Sequence, residues 1–519
     1  MGAREDARSA PRRGHRVSRN VVQSLSLVLF GLLLSQYAYL KTMFVLVTQS
    51  AQDVLPDWYI RPAADMHCTP IESEFVEDAY AYLRDPLTGR PAQTTQSCED
   101  VRLVPSHGIA FLSCDPGRIK WNTFMGPLAH PEYHGALWLL HYDRPSAPHP
   151  LPIDGFPAEA DFHPLGLGVH VDEAEHVRLF VLNQRGIATT VEVLDVHNVD
   201  GAWRATYVRT VAHPLATHMG NSVKPLSRTS MLITNTHVVA LRAPPKAWYK
   251  RTLEGRLGST WASYVYPWLM HPRWQRIFQR LDEIVGLGWV AHVTFTEERT
   301  SDDLPGWEQG VTTRAIASNI AFANGIEVTP THSAMVVAAT VGPGVLVYPI
   351  KAHMADGTPN WTSPSLFEER VFVPMPFFPD NMDVMPATGT PADHDPLQGA
   401  SILVAGHPSL RDLTRMIHER EAAPLAPSWV AEIAYTGRPR IEKDDEGVPV
   451  PTQQRSMPPP PGWRVRTWLQ TNGRGGVVNG QALTLSASTG IGCDPARHTC
   501  IMTGLYWPTP IECRGMEYR

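Results

Sequence analysis

The sequence is short of charge, and the charge it has shows no basic bias: Asp, Glu, Lys and Arg make up 18% of 519 residues and sum to a net −6. A chain that binds along phosphates needs a basic face. No zinc-finger, RNA-binding or helix-turn-helix signature occurs either, so nucleic acid is not an expected partner. Disorder is excluded in turn, because 43% of the residues are hydrophobic and so little charge does not keep such a chain open. Cysteine is scarce, at six residues without a CxxC pair, which removes a zinc site of that kind. No G-x-S-x-G elbow is present, which argues against a serine esterase. One glycosylation sequon stands at Asn360-Trp361-Thr362, and a used acceptor must lie on the surface.

Turn-forming residues are plentiful, with 47 Pro and 38 Gly. A Pro share above the usual ~5% suits many short strands joined by turns and disfavours an all-helical fold. The same unit recurs along the chain: a polar or Asn-bearing turn, a Gly/Pro gap, then a β-branched run. Examples are V-R-L-F-V-L-N (177–183), S-M-L-I-T-N-T (230–236), A-M-V-V-A-A-T (334–340), G-V-L-V-Y-P-I (344–350) and S-I-L-V-A-G (401–406), each of which reads as a buried strand. Asn221 stands 13 residues before Thr234 and Asn324 stands 13 before Val337. Such repetition suggests propeller blades. Polar residues repeated at the start of each innermost strand would then converge on one axial point, which is the geometry of a metal site.

The first 20 residues hold six Arg against Glu5 and Asp6. From Arg19 to Lys41 the chain is uncharged, and those 21 intervening residues approach the roughly 30 Å of a bilayer core. Residues 1–20 therefore read as a basic cytosolic terminus and 21–47 as a signal anchor, longer in its apolar part than a cleaved signal peptide needs. The expected setting is the secretory pathway, membrane-anchored with 50–519 lumenal or extracellular, or secreted if the segment is cleaved. Six cysteines agree with that compartment. Cys493 and Cys500 flank a six-residue loop, Cys98 and Cys114 flank one strand-and-turn unit, and Cys68 and Cys513 remain, one near each end. Six cysteines allow 15 pairings. A Cys68–Cys513 bridge would close the longest loop, worth roughly 4–5 kcal/mol or less in chain entropy.

Two segments break the pattern. Residues 242–283 read as a helical insertion with Trp248, Trp261, Trp268 and Trp274 among eight Lys and Arg. That mixture suits either a membrane interface or a lid packed on the strands. Residues 438–462 carry R-P-R-I-E-K-D-D-E-G and then four Pro, which reads as an extended solvated loop.

The motifs, taken in order, resemble the paraoxonase/arylesterase family over roughly residues 60–519. They are S-C-E-D-V-R-L-V-P-S-H-G-I-A-F-L-S (97–113), F-H-P-L-G-L (162–167), G-N-S-V (220–223), I-T-N-T-H (233–237), G-L-G-W (286–289), F-A-N-G-I (322–326), D-N-M-D-V (380–384) and V-A-G-H-P (404–408), with Cys513 near the end. The resemblance implies an all-β, six-bladed β-propeller, to which the readings above add an N-terminal membrane-anchor helix and a helical insertion. It also implies a catalytic Ca²⁺ on Glu99, Asn221, Asn324, Asp380 and Asn381, an oxygen set of the kind this ion prefers. A second, structural ion would fall on Asp100, the Leu167 carbonyl and Ser222, where a Ser replaces a carboxylate. The family's histidine pair falls on Leu165 and Gln184, so the usual base is missing. His163 lies two residues from Leu165, on the same face if that segment is extended, and is the candidate base. His407 matches a pocket histidine, Phe322 an aromatic pocket wall, and Glu99 is a second candidate for activating water.

The implied chemistry is calcium-assisted hydrolysis of a lipophilic ester or lactone without an organic cofactor. A related calcium propeller, such as a sugar lactonase or a strictosidine-synthase-like protein, is one alternative. A membrane-anchored propeller that binds calcium without turnover is the other.

Overall fold

The β-branched runs become middle strands of four sheets: Val177–Gln184, Ser230–Asn235, Ala334–Ala339 with its neighbour Gly344–Pro349, and Ser401–His407. Nearly every residue in them is buried, because a strand in the middle of a blade is covered on both faces by its neighbours. The computed structural model describes residues 44, 47, 67–71, 73, 95–119, 135–239, 246–269, 277–437 and 457–515, with gaps of five residues or fewer inside the longer ranges.

Six sheets, antiparallel but for the short parallel edge strand Ile153–Asp154 in the second, form the blades of a propeller. Their innermost strands are Cys98–Val104, Pro164–Val171, Gly220–Ser227, Ala323–Val328, Phe378–Met385 and Ser488–Asp494, for blades one to six in chain order. Each inner strand packs against the next around the axis, and that of blade six returns to that of blade one. Between neighbouring blades lie six apolar seams. Leu167, Leu179 and Phe111 belong to the seam of blades one and two, and Ile501, Trp138 and Ala110 to the seam of six and one. Each fully buried Leu, Ile or Phe contributes about 1.5–3 kcal/mol of transfer free energy.

The ring closes through its last blade, where His67–Pro70 pairs with Ile511–Arg514 as the outermost strand. All three disulfides join residues directly opposite on antiparallel neighbours. Cys68–Cys513, Cys98–Cys114 and Cys493–Cys500 have Cα atoms 4.0, 3.8 and 4.1 Å apart. In blade six the register places Cys493, Cys500, Cys513 and Cys68 in one row across four strands.

The insertion is helical, as Lys246–Leu257 and Ser259–Leu269, with short helical stretches at 277–279 and 281–282. Part of it packs on the propeller: Tyr249, Leu253 and Ala262 join the seam of blades two and three, and Trp248 is buried against Trp307. Arg251 holds Glu308 with two bonds of 2.6 Å. Trp261 and Tyr264 point outward, 69% and 71% exposed. The expected span 21–47 lies outside the described residues except for Phe44 and Val47. Among the described residues no helix is long and apolar enough to cross a membrane. Of the expected loop 438–462 only 457–462 is described, as an irregular stretch and turn before the strand Trp463–Thr471. Asn360 sits half-buried in a surface turn, its Oδ1 accepting from the Thr362 hydroxyl at 2.8 Å.

Candidate metal centre in the channel

One irregularity repeats in all six blades. The pairing of the inner strand with its neighbour slips between Cys98 and Asp100, Pro164 and Leu167, Gly220 and Val223, Ala323 and Ile326, Pro379 and Met382, and Ser488 and Ile491. A β-bulge takes residues out of the ladder and re-aims their side chains. The residues so released include Glu99, Asn221, Asn324, Asp380 and Asn381. The bulges of alternate blades are glycines that let the next blade approach. A Cβ on Gly325 would stand 2.6 Å from the Asp380 carbonyl oxygen, and one on Gly166 2.4 Å from that of Asn221.

Glu99, Asn221, Asn324, Asp380 and Asn381 are all buried. Four acceptor oxygens among them, Glu99 Oε2, Asn221 Oδ1, Asn324 Oδ1 and Asn381 Oδ1, have no hydrogen-bond partner. A buried acceptor without a donor costs about 1–3 kcal/mol, and four on neighbouring inner strands are accounted for if they share a cation. The amide nitrogens face away from that role: Asn381 Nδ2 donates to Glu99 Oε1 at 3.0 Å and Asn324 Nδ2 to the Thr340 hydroxyl at 3.1 Å. Burial, followed by the negative charges of Asp100 and Asp380, drives the Glu99 carboxyl well above the usual carboxylate range, against Arg118 and the Asn381 bond. Two carboxylates and three amides form an oxygen-only set, which suits a hard divalent cation with positions left for water or substrate. No cluster of three or more His, Cys, Asp or Glu side chains fit for a metal occurs among the described residues; this set is more than half amide.

The residues expected for a second ion behave differently. Asp100 Oδ1 accepts from Val101 N at 2.9 Å and Oδ2 from Leu167 N at 2.9 Å. The Leu167 carbonyl accepts from Arg102 Nε at 2.9 Å. Ser222 Oγ is buried without a partner and brings no charge. These three do not fit a metal ion, since two are already engaged by protein donors.

Around the first set stand the candidate proton-transfer groups. His407 Nε2 lies 2.9 Å from Asp380 Oδ2. His163 Nδ1 lies 3.0 Å from Asp115 Oδ2, both residues buried, and Asp115 Oδ1 is held by Gly117 N at 2.9 Å. Asp115 had no motif to mark it; its partner is 48 residues away in sequence. The same holds for Arg118, a fully buried guanidinium that donates through Nη2 to the Pro164 carbonyl and leaves Nε and Nη1 unpartnered. Leu165 packs into the seam of blades two and three, and Gln184 is buried with its backbone N–H donating to His163 O at 3.0 Å. Phe322 adopts a left-handed backbone, φ 59°, which a bulky residue holds only under constraint. Its ring lies 5.9 Å from that of His237, the last residue of the I-T-N-T-H motif. Two cavities lie away from this cluster, one of ≈ 320 Å³ around Glu432 and Arg464 and one of ≈ 460 Å³ at the opposite end of the channel, where Arg102 and Lys224 meet Glu327 and Asp383.

No protein-family model matches the chain. Serum paraoxonase/arylesterase 2 of Gallus gallus is 28% identical over 170 residues, which cover 32% of this chain. The matched stretch spans 44% of that relative's length. Among solved structures, the PQQ domain of pyranose dehydrogenase from Coprinopsis cinerea aligns with a TM-score of 0.39 at 9% identity, covering 89% of this chain and 98% of that one. The PQQ-bound aldose sugar dehydrogenase of Streptomyces coelicolor aligns at 0.38 with 8% identity, covering 88% and 99%. A low-identity paraoxonase relative and a six-bladed propeller together fit a propeller enzyme.

Proposed function

We propose that this chain is a calcium-dependent hydrolase of lipophilic esters or lactones, working in the secretory pathway. The observation that carries the reading is the coincidence of two independent sets: residues singled out by motif order and residues whose buried oxygens lack partners. Glu99, Asn221, Asn324, Asp380 and Asn381 would hold the ion. When bound, calcium supplies Lewis-acid polarisation of a substrate carbonyl and charge stabilisation for the oxyanion.

The chain's own residues supply the rest. His163 takes the proton of the attacking water, and Asp115 holds its Nδ1–H and so fixes the tautomer with the lone pair on Nε2. His407 acts as a positioning residue, holding one oxygen of Asp380 so that the other turns to the ion. Phe322 and His237 form an aromatic wall that favours an apolar substrate and excludes water. Three disulfides support an oxidising compartment. The outward Trp261 and Tyr264, with the apolar stretch at 21–47, support attachment to a membrane surface.

The test is a hydrolysis screen over aryl acetates, sugar lactones and lipophilic lactones with the wild type, Asn324→Ala and His163→Gln. Asn324→Ala should lose both calcium affinity and turnover, whereas His163→Gln should keep calcium and lose about 10²–10⁴ in kcat. Calcium binding with no hydrolysis of any substrate would replace this reading with a non-catalytic calcium propeller.

A further inference from the structure

Below the unpartnered oxygens, further along the inner strands, the channel is crowded with negative charge. Asp100 of blade one, Glu327 of blade four and Asp383 of blade five are all directed to it, and Asp100 and Glu327 are almost wholly buried. Buried carboxylates in such a group require a cation among them.

The cation present is a side chain. Arg102, itself buried, donates from Nε to the Leu167 carbonyl at 2.9 Å and from Nη1 to Glu327 Oε1 at 2.6 Å and the Met382 carbonyl at 3.1 Å. Its Nη2 lies 3.3 Å from Asp100 Oδ2. One guanidinium thus reaches from blade one to blades two, four and five. Lys224 of blade three adds a second charge, its Nζ 2.5 Å from Glu327 Oε2, and Asp383 Oδ2 accepts from Cys493 N of blade six at 2.7 Å. Every blade contributes to this network. The planar fork of an Arg, with five donors, suits carbonyl and carboxylate oxygens arrayed around an axis.

We infer that the guanidinium of Arg102 is the resident cation of this half of the channel, so that the propeller takes one calcium, at the upper set, and joins its blades here without a second ion. The inference rests on the reading of the upper set only for the count of one. A metal ion at this level would have to displace a buried guanidinium from the Leu167 carbonyl and from Asp100, with Ser222 contributing no charge in exchange.

The test is calcium stoichiometry by equilibrium dialysis, with the ion alone as probe, on the full chain. Wild type should bind one calcium, and Ser222→Asp, which adds the missing carboxylate but keeps Arg102, should still bind one. Ser222→Asp combined with Arg102→Gln should gain a second. Two ions on the wild type, or a second ion on Ser222→Asp alone, would overturn the inference. A wild-type count of zero would sink the reading of the upper set instead, and the gain of one ion by the double variant over Ser222→Asp would then decide for Arg102, its absence against. If the double variant does not fold, the comparison of wild type with Ser222→Asp stands by itself.

Discussion

At the scale of single residues, the candidate site separates binding from proton transfer, and two substitutions test the separation. Asp115→Asn removes the acceptor that fixes the His163 tautomer while leaving every proposed calcium ligand in place. It should lower kcat by about 10²–10⁴ with calcium affinity unchanged, as read from kinetics beside a calcium titration. A second expectation concerns acid. Burial, then Arg314, lowers the pKa of His292 from 6.5 to about 4, and its Nε2 lies 3.0 Å from the Ser230 hydroxyl. Between those values the unfolded chain takes up a proton that the folded one refuses, so His292 removes stability as pH falls from 6.5 toward 4, by about 3 kcal/mol at most. His292→Gln should flatten the melting temperature over that window. The legibility of residues follows the same division. Asn221 and Asn324 could be found because they recur at equivalent places, whereas Asp115 and Arg118 acquire meaning only from partners distant in sequence. Arg102 was hidden for another reason: in V-R-L-V an Arg reads as the solvent side of an alternating strand, and nothing local says that its side is the channel.

At the scale of elements, the middle strands of the blades were plain in the sequence and the inner ones were not. Ala334–Ala339 and Ser401–His407 are covered on both faces, so selection for burial leaves a continuous apolar run. The inner strands begin polar, break register at a bulge and face a channel, so Gly220–Ser227 carries no clean period. The glycines at those bulges give this level its prediction. Gly325→Ala puts a Cβ 2.8 Å from Asn381 Cα as well as against the Asp380 carbonyl, so blade five must retreat. Stability should fall by about 1–3 kcal/mol, and calcium affinity should fall with it, although residue 325 supplies no oxygen to the set. Calorimetric titration and thermal unfolding of the same sample check both. The helical insertion divides similarly: its basic and aromatic composition was visible, but which aromatics pack inward, as Trp248 does, and which turn outward, as Trp261 does, depends on the seam of blades two and three.

At the scale of the whole molecule, a ring of blades must join its last strand to its first, and here a strand from near the N-terminus completes blade six under the Cys68–Cys513 bridge. With its ends 445 positions apart, that bridge restrains the unfolded chain more than Cys493–Cys500 does, seven positions apart. Cys513→Ser should therefore cost about 2–5 kcal/mol and Cys493→Ser less, as measured by denaturant unfolding of each variant. The ring also sets the six bulged inner strands side by side, and the proposed activity requires that the oxygens they release converge on one ion. The most direct measurement is lactone hydrolysis by one preparation assayed as purified, after a calcium chelator, and after calcium is restored. Loss of turnover on chelation and its return in proportion to bound calcium is the result expected; hydrolysis that continues unchanged through chelation would contradict the calcium mechanism.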